Sequence, residues 1–414
     1  MPSRNKKLFV VLVLAFALVW VGLLILRYVN QTALVVHTAP GAQIFIATEK
    51  GGDFEPIGET SAKYVADGPG TVFVQVAQND QKTLAAVSLP KSEVTEINLE
   101  LRPAKSSQRI ANRALFNLHF EDNFIFGVNP VSRSIGYADT TGDNRQLSLP
   151  YISLPFLSKV GWHDRSNFAF FSGKAGAVIK GEEKALTYKR NDGDTGVFIN
   201  LAKHPDKPMI LLGQEGIFSE TKEGSFEFIK IAGLESVSSP RIFVDDKQIY
   251  LFDYVFQDTD DEGGMPLILE TSLKIFDYNG QLTAGLKPLI KEGVNGIVDL
   301  ESSSLYAVLG ETNLIFIDKS TGQTVESPYY FTNTSDLALS ESLGLTVLTT
   351  EGLWIYDYDQ QVYYLAAPFP EGEEYIANSL TLIGEDIYYS TQISKQALRD
   401  PNSQAASSVY KLSP

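Results

Sequence analysis

Hydrophobic residues follow two different patterns along this chain. Residues 8–26 form one unbroken run of nineteen uncharged, mostly apolar residues. From residue 33 onward the apolar residues occur in short runs, often alternating with polar ones and separated by turns rich in Gly, Asp and Asn. The first pattern is typical of a membrane-spanning helix, and the second is typical of short β-strands.

The long run predicts a transmembrane helix over residues 8–27. At about 1.5 Å per residue, nineteen residues reach roughly the 30 Å thickness of a bilayer core. A cleaved signal peptide is the alternative, but its apolar region usually has about 7–15 residues, and "RYVNQTALVV" (27–36) contains no small-x-small cleavage site. These two differences favour an uncleaved anchor.

The flanking charges predict the orientation of this helix. Arg4, Lys6 and Lys7 precede the run, and only Arg27 follows closely. Because Lys and Arg concentrate on the cytoplasmic side, residues 1–7 are expected to be a cytoplasmic stub. The chain is therefore predicted to be a single-pass cell-membrane protein with its C-terminal domains outside the cytoplasm.

Residues 33–101 predict a small domain made of strands. Alternating runs occur at 42–47, 71–77 and 95–101, and Pro- and Gly-containing turns bound them. Such a pattern is typical of a small antiparallel, sandwich-like β-domain.

Two short motifs in this region resemble a known family. "APGA" (39–42) opens one strand and "PGT" (69–71) leads into the next. In this the region is similar to the PEGA family of small extracytoplasmic β-domains. The resemblance implies a spacer, or a binding module close to the cell wall, beside a membrane anchor.

A strand-and-turn repeat fills residues 114–414. One short hydrophobic strand recurs at successive spacings of 44, 41, 40, 56, 40 and 42 residues, beginning at Asn123, Asn167, Pro208, Gln248, Ser304, Gly344 and Asp386. A repeat of about 40–50 residues built from short strands and tight turns predicts a β-propeller with four strands per blade. The spacing predicts seven blades.

Three of these repeats contain the same strand, aspartate and turn. The phrase appears as "SLKIFDYNGQ", "NLIFIDKSTGQ" and "GLWIYDYDQQ", with Asp277, Asp318 and Asp357 spaced 41 and 39 residues apart. Because an Asp side chain accepts hydrogen bonds from backbone amides just beyond it, these residues are expected to stabilise turns rather than catalyse a reaction. The segment 314–325 also resembles one repeat of quinoprotein-like propellers, including outer-membrane assembly scaffolds.

The last repeat is one strand short. It ends after "SVYKL" (408–412), while the polar segment 102–113 precedes the first repeat. We expect 102–113 to be a linker and possible closing segment, with a strand from near 108–116 that pairs with the end of the chain. Such pairing would close the ring of blades and remove an exposed sheet edge.

The single 56-residue spacing indicates an insertion at 255–271. Asp258, Asp260 and Glu262 occupy alternate positions before Gly263, a pattern similar to the first half of a calcium-binding loop. The glutamate that completes an EF-hand at the twelfth position is missing. The two interpretations are a calcium site with these three ligands and a solvated acidic loop.

Composition narrows the classes of function. Four of the 34 Lys and Arg residues lie in residues 1–30, so the predicted extracytoplasmic part carries 50 acidic and 30 basic residues, a net charge of −20. Nucleic acid is therefore not expected as a partner. The chain has no cysteine, which excludes disulfides and thiol catalysis. His163 could face a central channel, but its alternative role is a turn residue beside a packed Trp162.

The sequence favours a binding or scaffolding role at the cell envelope, with a protein or a glycan as partner. A propeller presents a broad loop-rich surface on a rigid support. The alternative is an exported enzyme acting on envelope glycans, since propellers host both kinds of function. A membrane-bound sensor is disfavoured because a stub of about seven residues cannot carry an output. The pattern leaves the oligomeric state open.

Overall fold

The computed structural model describes most of the chain from residue 31 onward. The described residues are 19–21, 31–111, 115–121, 124–129, 134–139, 144–147, 159–162, 167–172, 175–180, 186–187, 198–204, 206–213, 216–222, 225–231, 240–257, 267–301, 303–331, 333–369, 375–393 and 408–414. The chain divides into two compact units. The first unit comprises residues 1–103 and 359–364, and the second comprises residues 104–358 and 365–414.

The predicted membrane helix falls almost entirely outside the described residues. Only positions 19–21 of that run are described, and they are helical. Across the described ranges, no helix combines the length and the apolar character needed to cross a bilayer.

The first unit consists of short strands in two sheets. Its strands are β1 (Thr32–His37), β2 (Gln43–Ala47), β3 (Glu55–Glu59), β4 (Ser61–Ala66), β5 (Gly70–Gln78), β6 (Gln81–Leu89) and β7 (Val94–Asn98). One sheet has the order β4-β1-β7, and in the other the neighbours run β6-β5-β2-β3. The alternating apolar residues of both sheets, including Leu34, Ile44 and Val74, pack into one buried core.

One pairing in this unit differs from the expected antiparallel domain. β1 pairs antiparallel with β4 but parallel with β7, in the register Val36↔Ile97. The parallel pair is possible because five intervening strands carry the chain back to the same end of β1. β1 was not predicted, because its nearly continuous apolar run TALVVH lacks the alternation that identifies a half-buried strand.

The strands from β8 onward form seven groups of four neighbours within the described residues. The first strands are β9 (Phe116–Glu121), β13 (Lys159–Trp162), β17 (Phe198–Ala202), β21 (Arg241–Val244), β25 (Val294–Leu300), β29 (Thr334–Ser340) and β33 (Tyr375–Ile383). The second strands are β10 (Phe124–Asn129), β14 (Asn167–Ser172), β18 (Ile210–Gly213), β22 (Ile249–Phe256), β26 (Leu305–Gly310), β30 (Gly344–Thr349) and β34 (Asp386–Ile393).

The outer strands complete each group. The third strands are β11 (Ser134–Asp139), β15 (Ala175–Lys180), β19 (Gly216–Lys222), β23 (Ile268–Phe276), β27 (Asn313–Asp318), β31 (Gly352–Asp357) and β35 (Ser408–Leu412). The fourth strands are β12 (Asn144–Leu147), β16 (Leu186–Thr187), β20 (Ser225–Lys230), β24 (Leu282–Leu286), β28 (Thr324–Tyr330), β32 (Val362–Pro368) and, for the last group, β8 (Ser107–Ala111). The recurring strand of the sequence is the second strand of each group.

The second strands are buried over most of their length wherever their burial is described. All four residues of β18 are buried, and so are the last five residues of β26. Strands covered on both faces need apolar residues at every position. This requirement explains why the second strand gives the clearest repeat in the sequence.

The first strands lie side by side in chain order. β9 neighbours β13, β17 neighbours β21, and the same relation continues to β29 and β33. The first strand of the last group, β33, lies against β9. The array of sheets in the second unit is therefore closed.

The last sheet is completed from the other end of the unit. β8 pairs antiparallel with β35, and Val409 is opposite Ala111. Ile110 and Leu115 pack into a buried cluster with Val409, and the Tyr389 hydroxyl donates to Ser107 Oγ at 2.8 Å. This is the pairing that the short last repeat led us to expect.

Candidate functional site

Two adjoining cavities open among the first strands of the second unit. Their volumes are about 450 and 390 Å³. Asn117, Lys203, Asp336 and Ser379 line both cavities, so the two are parts of one space. Residues from the first strands of all seven groups contribute to its walls. This space is the candidate functional site.

β-Bulges interrupt several of the first strands that line this space. In β25, Val294 is opposite Gly310 and Gly296 is opposite Leu309, which leaves Asn295 as the extra residue. Ser335 is the extra residue of β29 in the same way. A bulge turns an additional side chain out of the regular alternation, and bulges are common beside binding sites.

Asn117 occupies the corresponding irregularity of β9. The register shifts between the pairs Phe126↔His119 and Val128↔Phe116, and Asn117 has a φ of 51°. Asn tolerates this left-handed conformation better than most residues. Its backbone oxygen accepts a 2.8 Å hydrogen bond from Trp162 Nε1, which fixes the bulge.

Trp162 and His119 form one wall of the larger cavity. Their rings are stacked with centroids 6.0 Å apart and planes 16° from parallel. Trp162 is buried. The indole therefore joins the first two strands of the array through a stacking contact and a hydrogen bond, as the packing interpretation of Trp162 anticipated.

Lys203 is the cation that lines both cavities. Its ammonium donates to the backbone oxygens of His204 and Lys207 at 2.6 and 2.5 Å. Burial lowers the pKa of Lys203, and the nearby carboxylates of Glu220 and Asp206 partly oppose that effect. The amine is thus held in place by the chain that follows β17.

Asp336 and Asn295 connect neighbouring first strands. Asp336 Oδ1 accepts from the backbone N–H of Leu337, and Oδ2 accepts from that of Leu380, both at 2.9 Å. Asn295 Nδ2 donates to the backbone oxygen of Thr334 at 3.1 Å. Both polar side chains therefore stabilise the wall of the cavity as well as line it.

Comparisons with known proteins identify the fold. No protein-family model matches the sequence, and no curated protein matches it. Among solved structures, virginiamycin B lyase from Staphylococcus aureus matches with a TM-score of 0.50 and 11% identity, covering 75% of this chain and 98% of the lyase. The extracellular domain of the putative hybrid two-component system BT4673 from B. thetaiotaomicron matches with a TM-score of 0.50 and 12% identity, over 74% of this chain and 39% of that chain. The second unit is a β-propeller.

Two of the repeated aspartates stabilise the turns that follow third strands of the propeller. Asp277 Oδ1 accepts from the backbone N–H groups of Asn279 and Gln281 at 2.9 and 2.8 Å. Asp318 Oδ1 accepts from the backbone N–H groups of Ser320 and Thr321 at 3.0 and 2.8 Å. Both residues lie where a third strand ends, so the predicted turn role is confirmed for these two positions.

Other predicted site residues lie outside the described part of the propeller. Asp258, Asp260 and Glu262, the proposed calcium ligands, belong to the segment between β22 and β23, and His163 follows β13 directly. In the residues that the structure does describe, no three His, Cys, Asp or Glu side chains are grouped so that they could hold a metal ion.

The space formed by the two cavities is the channel of the propeller. The sequence did not predict the polar residues that lie at β-bulges in its wall. A weak signal was present, because Asn follows an apolar residue at two of these irregularities, in "FNL" (116–118) and "VNG" (294–296). Both triplets lie in first strands, which are less uniformly apolar than second strands. The spacing of the apolar runs therefore predicts the second strands but not these positions.

Proposed function

We propose that this protein is a membrane-anchored extracytoplasmic binding or scaffolding protein of the cell envelope. In this proposal, residues 8–27 are the anchor, the first unit is a PEGA-like stalk, and a seven-bladed propeller presents a protein or glycan site. The apolar run and its flanking charges support the anchor. The closed array of four-stranded sheets supports the seven blades.

The binding role is supported chiefly by one observation: the titratable side chains of the channel contact the channel wall itself. Lys203 donates to two backbone oxygens, and Asp336 accepts from two backbone N–H groups. His119 stacks on Trp162. A catalytic acid or base must be able to reach a substrate proton. Groups that stabilise the channel wall instead favour a preformed binding surface.

An exported enzyme is the second candidate. The lowered pKa of Lys203, in a cavity that Asp336 also lines, is the observation that favours it, because perturbed lysines concentrate at catalytic sites. The resemblance in fold to a lyase adds no weight, since one fold supports many functions. The hydrogen bonds that hold the Lys203 ammonium make the binding role the better supported of the two.

Labelling with a membrane-impermeant maleimide tests the anchor and its orientation. The chain contains no cysteine, so each introduced cysteine reports on its own position. We expect Glu341→Cys, in an exposed turn of the propeller, to react on intact cells, and Ser3→Cys to react only after permeabilisation. Labelling of Ser3→Cys on intact cells, or release of the protein by an alkaline carbonate wash, would overturn the proposal.

A further inference from the structure

We infer that the propeller channel binds a neutral saccharide of one or two units, and that Asn117 is a principal ligand-binding residue. This inference deepens the proposed binding function by naming a ligand class and a site. It rests on the hydrogen-bonding state, charge and shape of the space that the two cavities form.

Two amide groups in this space have unused hydrogen-bonding capacity within the described chain. The side-chain carboxamide of Asn117 makes no hydrogen bond with the rest of the described chain, although the residue lines both cavities. Asn295 uses Nδ2 to bond Thr334, while its Oδ1 accepts no hydrogen bond among the described residues. A carboxamide offers two donors and an acceptor, and these match adjacent sugar hydroxyls.

The fold holds the left-handed backbone of Asn117 in place. A non-glycine residue at a φ of 51° stores strain, which persists only where surrounding contacts enforce it. The hydrogen bond from Trp162 Nε1 to the Asn117 oxygen is such a contact. The backbone that carries the carboxamide is therefore fixed before a ligand arrives, which lowers the entropic cost of binding.

The charged side chains around this space favour a neutral ligand. Of the Lys, Arg, Asp and Glu residues in the described part of the channel, Lys203 and Asp336 line these cavities, and their formal charges cancel. Both make charge-assisted hydrogen bonds to backbone groups. A charged ligand would lack an uncommitted counter-charge, whereas a neutral polyhydroxyl compound needs none.

The size and the lining of this space suit a saccharide of one or two units. The two parts of this space, with volumes of about 450 and 390 Å³, fall separately and together within the range of roughly 300–1,000 Å³ that is usual for small-molecule sites. Phe120 and Phe243 contribute partly exposed rings to the walls. Aromatic rings pack on the apolar faces of sugars while polar groups bind the hydroxyls at the edges.

The test is calorimetric titration of the full-length protein in a detergent without a sugar headgroup. The probes are the β-1,4-linked dimer of N-acetylglucosamine and maltose. We expect at least one of them to bind with 1:1 stoichiometry and a Kd below about 1 mM. The variant Asn117→Gly keeps the left-handed backbone without strain and should weaken this binding at least tenfold.

A matched control distinguishes loss of the carboxamide from a general effect of the substitution. Asn79 also has a positive φ, of 53°, but lies in the turn between β5 and β6 of the first unit. Asn79→Gly should leave the affinity unchanged. Asn117→Asp, which retains the shape and one acceptor but loses the donors, should bind with intermediate or lower affinity.

Each remaining outcome counts against the inference. It is overturned if neither saccharide binds at 10 mM, or if Asn117→Gly binds as tightly as the parent protein. Binding of an Ala-Gly-Ala tripeptide that depends on Asn117, without saccharide binding, would replace the ligand class with peptides. Because this experiment uses purified protein, its failure would leave the labelling test of anchor and orientation unaffected.

Discussion

The backbone N–H of Leu380 donates a 2.9 Å hydrogen bond to Oδ2 of Asp336, so one side chain connects the first strands of the last two sheets in the propeller. The same carboxylate accepts from the N–H of Leu337 through Oδ1. Removing this side chain leaves two backbone donors without their partner. A donor left unsatisfied in a folded protein costs about 1–3 kcal/mol.

We expect Asp336→Ala to lower the free energy of unfolding of the propeller by about 1–3 kcal/mol. Intrinsic tryptophan fluorescence during urea denaturation measures this loss of stability. The signal reports on the propeller because Trp162 and Trp354 lie in the second unit, whereas the third tryptophan, Trp20, lies in the predicted anchor. Asp246→Ala, at an exposed turn position, is the control. Equal midpoints for the two variants would show that Asp336 does not stabilise the wall.

Closure of the last sheet gives a second prediction. Ile110 is buried beside Val409 and Tyr388, so Ile110→Ala should lower the free energy of unfolding by about 2–5 kcal/mol. Gln108→Ala, at an exposed position of the same strand, should change it little. A tryptophan-fluorescence transition that moves equally in both variants would mean that β8 is not essential to closure.

Asp318 should titrate at unusually low pH. Hydrogen bonds from the Ser320 hydroxyl, then from the backbone and hydroxyl of Thr321, lower its pKa to about 2. We expect Ser320→Ala to raise this pKa, measured by NMR titration of protein with ¹³C-labelled aspartate. The control Ser413→Ala removes a hydrogen bond to Asp386 and should leave Asp318 unchanged.

The sign of the linked stability change follows from the direction of the shift. Because the pKa of Asp318 is lowered in the folded protein, its contribution is fully present above the unfolded value of about 4. The contribution disappears as the pH falls toward 2. If the free energy of unfolding of Ser320→Ala falls with decreasing pH as steeply as that of the parent, this linkage is wrong.

Glu292 should behave in the opposite way. Burial raises its pKa, the hydroxyl and backbone N–H of Thr312 partly oppose the rise, and Glu311 and Glu326 add to it. The folded protein therefore holds a proton more tightly than the unfolded chain does, and this carboxyl destabilises the fold progressively as the pH rises above about 4.5.

Glu292→Gln should remove that pH-dependent penalty. We expect the variant to gain stability relative to the parent between pH 5 and pH 8, because its neutral amide still offers an oxygen to Thr312. Urea midpoints at the two pH values measure the change. Glu341→Gln, at an exposed turn, serves as the control. A parent-like pH slope in Glu292→Gln would contradict the assignment.

The sequence predicted the parts of this structure that depend on local pattern. The second strands repeat because they are buried on both faces, and Asp277 and Asp318 mark turns because their side chains bond nearby amides. The channel was harder to predict, since Asn117 and Asn295 are defined by a shift in strand register. Register depends on the neighbouring strand, which periodicity within a single strand does not specify.

The cavity itself results from contacts between distant parts of the chain. Its walls bring Asn117 of the first group together with Ser379 of the last. No short-range pattern specifies that neighbourhood. The chain order of β33 and β9 places them at opposite ends of the repeat, and only closure of the array makes them adjacent.

Pairing between β8 and β35 also dictates when the propeller can finish folding. Ser107 and Leu412 are opposite each other across that pair, so the final sheet needs residues from both ends of the unit. Contacts between residues so far apart in sequence form slowly, because a long loop must close first. While the chain is being synthesised, the ring therefore remains open until its last strand emerges, and Val409 completes the core only at that moment.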